Sequence, residues 1–363
     1  MAIGLNRIYV VNRFSNNVSV IDGTNNTVIA TVPVGNQPRF ESVNQVTQRI
    51  YVTNFASNDV SVIDGTTNTV VATIPVGTNP QLSGVNEETN RIYIANFGSA
   101  DISIIDGKAD MVIATVPVGS GPIYVGINAI TNLIYIANVN SNNVSVIDGN
   151  TNTLIATVPV GTSPRYVGIN PLTNRIYVSN FGSNDVSVID GNTNAVIATI
   201  LTGVHPRLPG VNTVTNHIFI PNDSSNSVSV IDGATNTVIA TVPMNNRPEI
   251  AGVNQSTNRI YVSNFFSNNV SVIDGTSNTV IDSIPVGINP VSLRIDEVNN
   301  RVYTANSGSN NVTIINGKND GVIATVPVGV RPVDVNIMKL SKPEIFSLRY
   351  KYNQDKKIWS KTC

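Results

Sequence analysis

Cysteine is almost absent. The single one is Cys363, so no disulfide can close within the chain and no thiolate cluster can hold a metal, which fits a reducing compartment without excluding an exported one. Histidine is nearly as scarce: His205 and His217 are too few for a multi-histidine centre, and neither stands in an HExxH spacing, so no metal or cofactor is expected. Charged residues are only 12% of the chain, about half the common share, and the net charge of −1 gives no long-range field toward nucleic acid or an acidic membrane. No apolar run approaches the roughly 18 residues of a spanning helix. The opening Met1 to Arg7 runs into regular sequence without a signal-like segment, so the expectation is a chain that neither inserts into a membrane nor carries an address. Also missing are a GxGxxG between strand and helix, a P-loop and a GxSxG elbow.

What the chain does have is repetition. The aspartate of an Ile-Asp-Gly triplet recurs at Asp22, Asp64, Asp106, Asp148, Asp190, Asp232 and Asp274, and Asn316 keeps the interval, so one 42-residue unit is written eight times without insertion. Within a unit, as in residues 164 to 203, four short runs rich in Val, Ile and Tyr alternate with turns rich in Asn, Gly, Thr and Ser. Runs of this length leave no room for helices and read as four antiparallel strands, here called A to D, of a propeller blade. The Asp-Gly between C and D supplies a tight turn. Proline recurs in strand D at Pro33, Pro75, Pro117, Pro159, Pro243, Pro285 and Pro327, with Leu201 in the fifth unit. A missing amide donor is tolerable at a sheet edge, so D is the outer rim, guarded against edge pairing. The chain starts near strand B of its first unit and ends its repeats on a lone A strand, Arg331 to Ile337. Joining those ends predicts an all-β, eight-bladed propeller over residues 1–338, closed by a three-plus-one blade. A basic extension follows at 339–363, holding six of the eight lysines and the only Trp.

Tyr51-Val52-Thr53-Asn54 spells the signature of the YVTN β-propeller repeat family, with variants at Tyr9, Tyr93, Tyr135, Tyr177, Tyr261 and Tyr303 and a degenerate form at Phe219 to Asn222. The chain resembles that family over nearly residues 1 to 338. The resemblance implies the propeller fold and a surface-layer or periplasmic setting, with adhesion or single-stranded DNA binding among the roles of similar proteins.

Alternating strands put the A–B and C–D turns on one face of the ring and the B–C and D–A turns on the other. The first face repeats almost verbatim, with an Arg opening B and an Asp closing C fifteen residues later: Arg7 and Asp22, Arg49 and Asp64, Arg91 and Asp106, Arg175 and Asp190, Arg259 and Asp274. The expectation is a weak cross-strand ion pair in each hairpin, and a similar pair between His217 and Asp232. The second face is individual. Around its channel mouth stand Arg39, Tyr124, Arg165, Tyr166, His205, Arg207, Arg247 and Arg331, with Arg13, Phe14, Phe55, Phe97, Phe181, Asp223, Phe265 and Phe266 in the B–C turns. One reading is a shallow pocket in which guanidinium forks receive a small anion, a glycan or a protein partner. In the other, the rings plug gaps and the arginines pair with Glu41, Glu249, Asp334, Asp59, Asp101 and Asp185. Because acids match bases here, a single-stranded nucleic acid is the less favoured ligand. The function that follows is a non-enzymatic binding scaffold; the alternative is a small-molecule hydrolase or lyase with His205 as general base beside Glu249 or Glu41. The sequons, such as Asn17-Val18-Ser19, fall in turns the fold needs anyway.

Overall fold

The computed structural model describes residues 6–340, with 350–353 and 358–361. Eight four-stranded antiparallel sheets succeed one another along the chain, and no helix interrupts them among the described residues. In each, B and C are buried almost throughout, as in Arg49–Asn54 and Asp59–Asp64, because β-branched residues cover both faces of the blade. Strand D, as in Thr69–Pro75, is largely exposed and ends on its proline, so it is the rim. Leu201 at that rim is 78% exposed.

The ring closes as the termini require. Pro332–Lys339 pairs antiparallel with Asn6–Asn12, Val335 opposite Val10 and Lys339 opposite Asn6, so the first blade takes its inner strand from the end of the repeats. Strand A is innermost in every blade, and each core lies between neighbouring blades rather than within one. Ile8, Val10 and Val335 of blade 1 pack with Tyr303, Val312 and Ile314 of blade 8.

Two residues of the family signature have physical jobs. The tyrosine is fully buried in seven blades, and Phe219 fills the same place in the sixth. Its hydroxyl can pin the next blade, as Tyr9 does by donating to Asn68 Oδ1 at 3.1 Å and Tyr261 to Asp320 Oδ1 at 3.1 Å. The asparagine is buried and ties B to C: Asn54 Nδ2 donates to Asp59 Oδ1 at 2.6 Å and Ser61 Oγ at 2.9 Å. A second asparagine, at the end of A, links blades, with Asn44 Nδ2 donating to Asn90 Oδ1 at 2.8 Å. At the closing seam Asp296 takes that position, and the donor is Asn6 at 2.6 Å.

The repeated Arg–Asp positions are opposite one another in register, as Arg7 and Asp22 are, but the expected pairing holds in only part of the ring. Arg91–Asp106 and Arg175–Asp190 pair within their blades at 2.7 and 2.6 Å. Arg49 and Arg259 instead cross to the next blade, to Asp110 at 3.5 Å and Asp320 at 2.6 Å, while Arg7 donates to the carbonyls of Gly65 and Thr66. The guanidinium reaches either hairpin, and an acid at the tip of the next C–D turn captures it. His217 faces Asp232 in register, yet its buried Nδ1 has no partner among the described residues, so the expected satisfied pair is not formed.

Of the 339–363 extension, Tyr350–Asn353 pairs with Ile358–Lys361 as a two-stranded ladder. The rest of it from Ser341 onward lies outside the described residues, as does Met1 to Leu5.

Candidate functional site

The face carrying the D–A and B–C turns is assembled by backbone bonds between neighbouring loops. Phe55 N donates to Gln37 O at 3.2 Å and Phe265 N to Arg247 O at 2.8 Å, and at the seam Arg13 N donates to Arg331 O at 3.0 Å. The residue before each inner-strand proline is left-handed: Gln37, Asn79, Gly121, Ser163, His205, Arg247, Asn289 and Arg331 all have φ between 50° and 71°. Glycine and asparagine tolerate this conformation best. On the opposite face the left-handed residue of the C–D turn is Asn26, Asn68, Asp110, Asn152, Asn194, Asn236, Asn278 or Asp320, as local preference dictates. In the D–A turns at the mouth, Gln, Ser and Arg override that preference.

Three groups of side chains occupy this face. Over blades 5 to 7, Arg165 lies 4.0 Å from the Phe181 ring centroid, and His205 stacks on the same ring at 4.1 Å. Arg207, only 8% exposed, holds Asp223 through two nitrogens, Glu249 at 3.2 Å and the Tyr166 hydroxyl at 3.3 Å. Arg247 completes the network to Glu249 at 2.9 Å and lies 4.5 Å from the Phe265 centroid. Burial opposes the charge on Arg207, but Tyr166, Glu249 and Asp223 outweigh it and hold its pKa up. Burial raises Glu249, against the pull of Arg207 and Arg247.

Over blades 1 and 2 the arginines have no such counterweight. Arg39 lies 4.5 Å from the Phe55 centroid and Arg331 4.7 Å from that of Phe14, with Arg13 at 5.8 Å on the same ring. None of the three makes an ion pair among the described residues. Burial, then the charges of Arg13 and Arg331, bring Arg39 down to about 10; burial and Arg331 lower Arg13. Among the described residues, the Nε atoms of Arg13 and Arg39, like that of Arg165 in the other arc, are buried without a partner.

Between these arcs the channel holds a cavity of about 210 Å³, ringed by Phe40, Leu82, Tyr124, Tyr166, Ile250, Ser292 and Asp334 from seven inner strands and by Leu208, just before the short inner strand Gly210–Asn212 of blade 6. Tyr124 and Tyr166 meet edge to face at 5.9 Å. Burial pushes the Tyr124 phenol up to about 12. Asp334 accepts from Ser292 Oγ at 2.7 Å, and its carboxyl and that of Glu41, both raised chiefly by burial, lie within reach of the Arg294 charge. Neither Glu41 oxygen receives a donor among the described residues.

The expected single pocket is therefore two arcs flanking a channel. Arg39 and Arg331 lie in one arc; Arg165, His205, Arg207 and Arg247 lie in the other; Tyr124 and Tyr166 line the channel between them. The pairing reading holds for Glu249 alone of the acids it named: Asp59, Asp101 and Asp185 accept from Asn54, Asn96 and Asn180 instead. His205 Nδ1 lies 2.7 Å from Ser224 Oγ and its ring rests on Phe181, so the expected partnership with Glu249 or Glu41 is not formed. Sequence reasoning missed Arg294, although a signal existed: it stands where other inner strands have Gly84, Gly126, Gly168, Gly210 and Gly252. Those glycines face the next blade with no room for a Cβ; at Gly252 it would fall 2.4 Å from Leu293 Cδ2.

Solved structures share this architecture. NirN, a dihydro-heme d1 dehydrogenase solved in complex with DHE, matches with TM-score 0.78 and 13% identity over 91% of this chain and 74% of its own. AztD from Citrobacter koseri matches with TM-score 0.72 and 13% identity over 93% and 99%. Hydrazine synthase from Kuenenia stuttgartiensis matches with TM-score 0.63 and 20% identity over 77% and 95%. At these identities the likeness is one of fold. No curated protein sequence matches. The profile of the YNCE-like beta-propeller family matches residues 6–301, most of the repeat array, and the chain belongs to that family.

Proposed function

We propose that this protein is a binding scaffold that recognises an anionic partner through the D–A and B–C face of the ring. One observation carries the reading: in the D–A turns of that face, left-handed backbone positions bear Gln37, Arg247 and Arg331, side chains that local conformation does not favour. Side chains retained against backbone preference on loops of a closed ring are what a recognition surface needs. Arginines stacked on Phe14, Phe55, Phe181 and Phe265 supply planar forks already held in place, so less side-chain entropy is lost on binding. The closed ring makes little backbone movement necessary.

The test is a panel of acidic peptides, sulfated and neutral glycans, and single-stranded oligonucleotides, read by surface plasmon resonance on the full chain. The double variant Arg39→Ala/Arg165→Ala is compared with Arg91→Ala/Arg175→Ala on the opposite face. An anionic class that binds and is lost only with the first double variant supports the reading. Binding to no class, or equal loss in both, overturns it.

A further inference from the structure

We infer that the arc over blades 1 and 2 is a site for a tetrahedral oxyanion, the phosphate or sulfate ester group of a small ligand, held by Arg13, Arg39 and Arg331. The inference rests on the face reading above and gives it a ligand chemistry. The geometry comes first. Arg39 on Phe55, and Arg331 and Arg13 about Phe14, lay guanidinium groups against rings, leaving the N–H edges free to donate. Among the described residues their side chains make one polar contact, Arg13 Nη2 to Gln37 Oε1 at 3.3 Å, and Arg13 Nε and Arg39 Nε are buried donors without an acceptor. Such donors are costly unless something accepts from them.

The fold does not require this cluster. Position 13 of the first blade corresponds, at intervals of 42 residues, to Phe55, Phe97, Val139, Phe181, Asp223, Phe265 and Ser307. The same backbone site thus carries an acid in blade 6, where Asp223 neutralises Arg207 and approaches Arg247, and a third base in blade 1. The uncompensated charge is a property of these side chains alone. A planar carboxylate is satisfied by one guanidinium fork, whereas a tetrahedral oxyanion offers oxygens in several directions to three. Next to the arc, Arg331 also borders a cavity of about 280 Å³ with Phe265, Asn289, Val291, Ser307, Gly308 and Val333, room for the body of a small ester.

Inorganic phosphate, sulfate and acetate are titrated into the full chain by calorimetry at low salt. Saturable binding of phosphate and sulfate, with acetate at least tenfold weaker, is expected. Arg39→Ala and Arg331→Ala should each weaken phosphate at least tenfold, Arg39→Lys should weaken it less, and Arg91→Ala on the opposite face should not change it. Phenyl phosphate against phenyl sulfate then tells which ester the site prefers. Circular dichroism checks folding, and Arg331→Ala alone decides if Arg39→Ala unfolds. Acetate as tight as phosphate, no saturable phosphate binding, or equal loss with Arg91→Ala overturns the inference. If phosphate fails while Arg39→Ala/Arg165→Ala still abolishes capture of a panel ligand, only the oxyanion assignment falls; if both fail, the face reading falls with it.

Discussion

The C–D turns on one face of the ring and the D–A turns on the other share a length and a left-handed last residue, yet they obey different rules. On the A–B and C–D face, every left-handed C–D residue from Asn26 to Asp320 is an Asn or Asp, and side chains such as Asn68 are absorbed into bonds with Arg7 and Tyr9. In the D–A turns of the other face the left-handed position runs through Gln, Asn, Gly, Ser, His and Arg, although the B–C turns beside them keep Asn in every blade but the third, where it is Ala100, and charges gather without regularity. Where side chain and backbone agree, the residue serves the scaffold. Where they disagree, the residue is retained for what it presents outward.

The largest effect should come from breaking the buried network of the variable face. Arg207→Ala leaves Asp223 and Glu249, whose side chains are 13% and 11% exposed, with Arg247 as their one remaining cation, and should cost about 3 kcal/mol in denaturant unfolding. A loss below about 1 kcal/mol would place this network with ordinary surface pairs.

Glu41→Gln probes the channel beneath that face. Burial and Asp334 hold the Glu41 pKa well above 4.5, so the folded state keeps a proton the unfolded chain releases. Its contribution is full below the unfolded value and is lost as pH rises through the folded one. Glu41→Gln should flatten that decline in thermal melts between mildly acidic and neutral pH, and should stabilise the neutral protein. A wild-type melt that rises across this window through Glu41 would reverse the sign.

Smaller again is the backbone comparison. Gln37→Gly should stabilise by about 0.5–1 kcal/mol by relieving the left-handed residue. Asn68→Gly should destabilise by about 1 kcal/mol, because it removes an acceptor from Tyr9. Changes of the same sign would remove the distinction between faces. Least of all, Arg175→Ala should cost at most about 1 kcal/mol, since its pair with Asp190 is part-exposed.

Most of the fold was legible because it rests on period. The 42-residue interval, the strand D prolines and the split first blade name blade number, rim and seam without reference to distance. The site was legible only as a roster. Arg39, Arg207 and Arg331 look alike in sequence; which is paired depends on blade 6 placing Asp223 beside Arg207 while blades 8 and 1 bring Arg331 to Arg13. The Arg49 and Arg259 partners failed for the same reason, since a long side chain on a ring has two hairpins within reach. The left-handed backbone at Gln37, Arg247 and Arg331 carried no sequence signal, because those residue types do not announce positive φ.

The most direct measurement pairs one variant from each face. Phosphate affinity is determined for Arg331→Ala and for Arg7→Ala, whose arginine serves the next blade's turn on the opposite face. At least a tenfold loss with Arg331→Ala and an unchanged affinity with Arg7→Ala is the predicted result; equal effects, or none in either, would contradict an account that places recognition on one face alone.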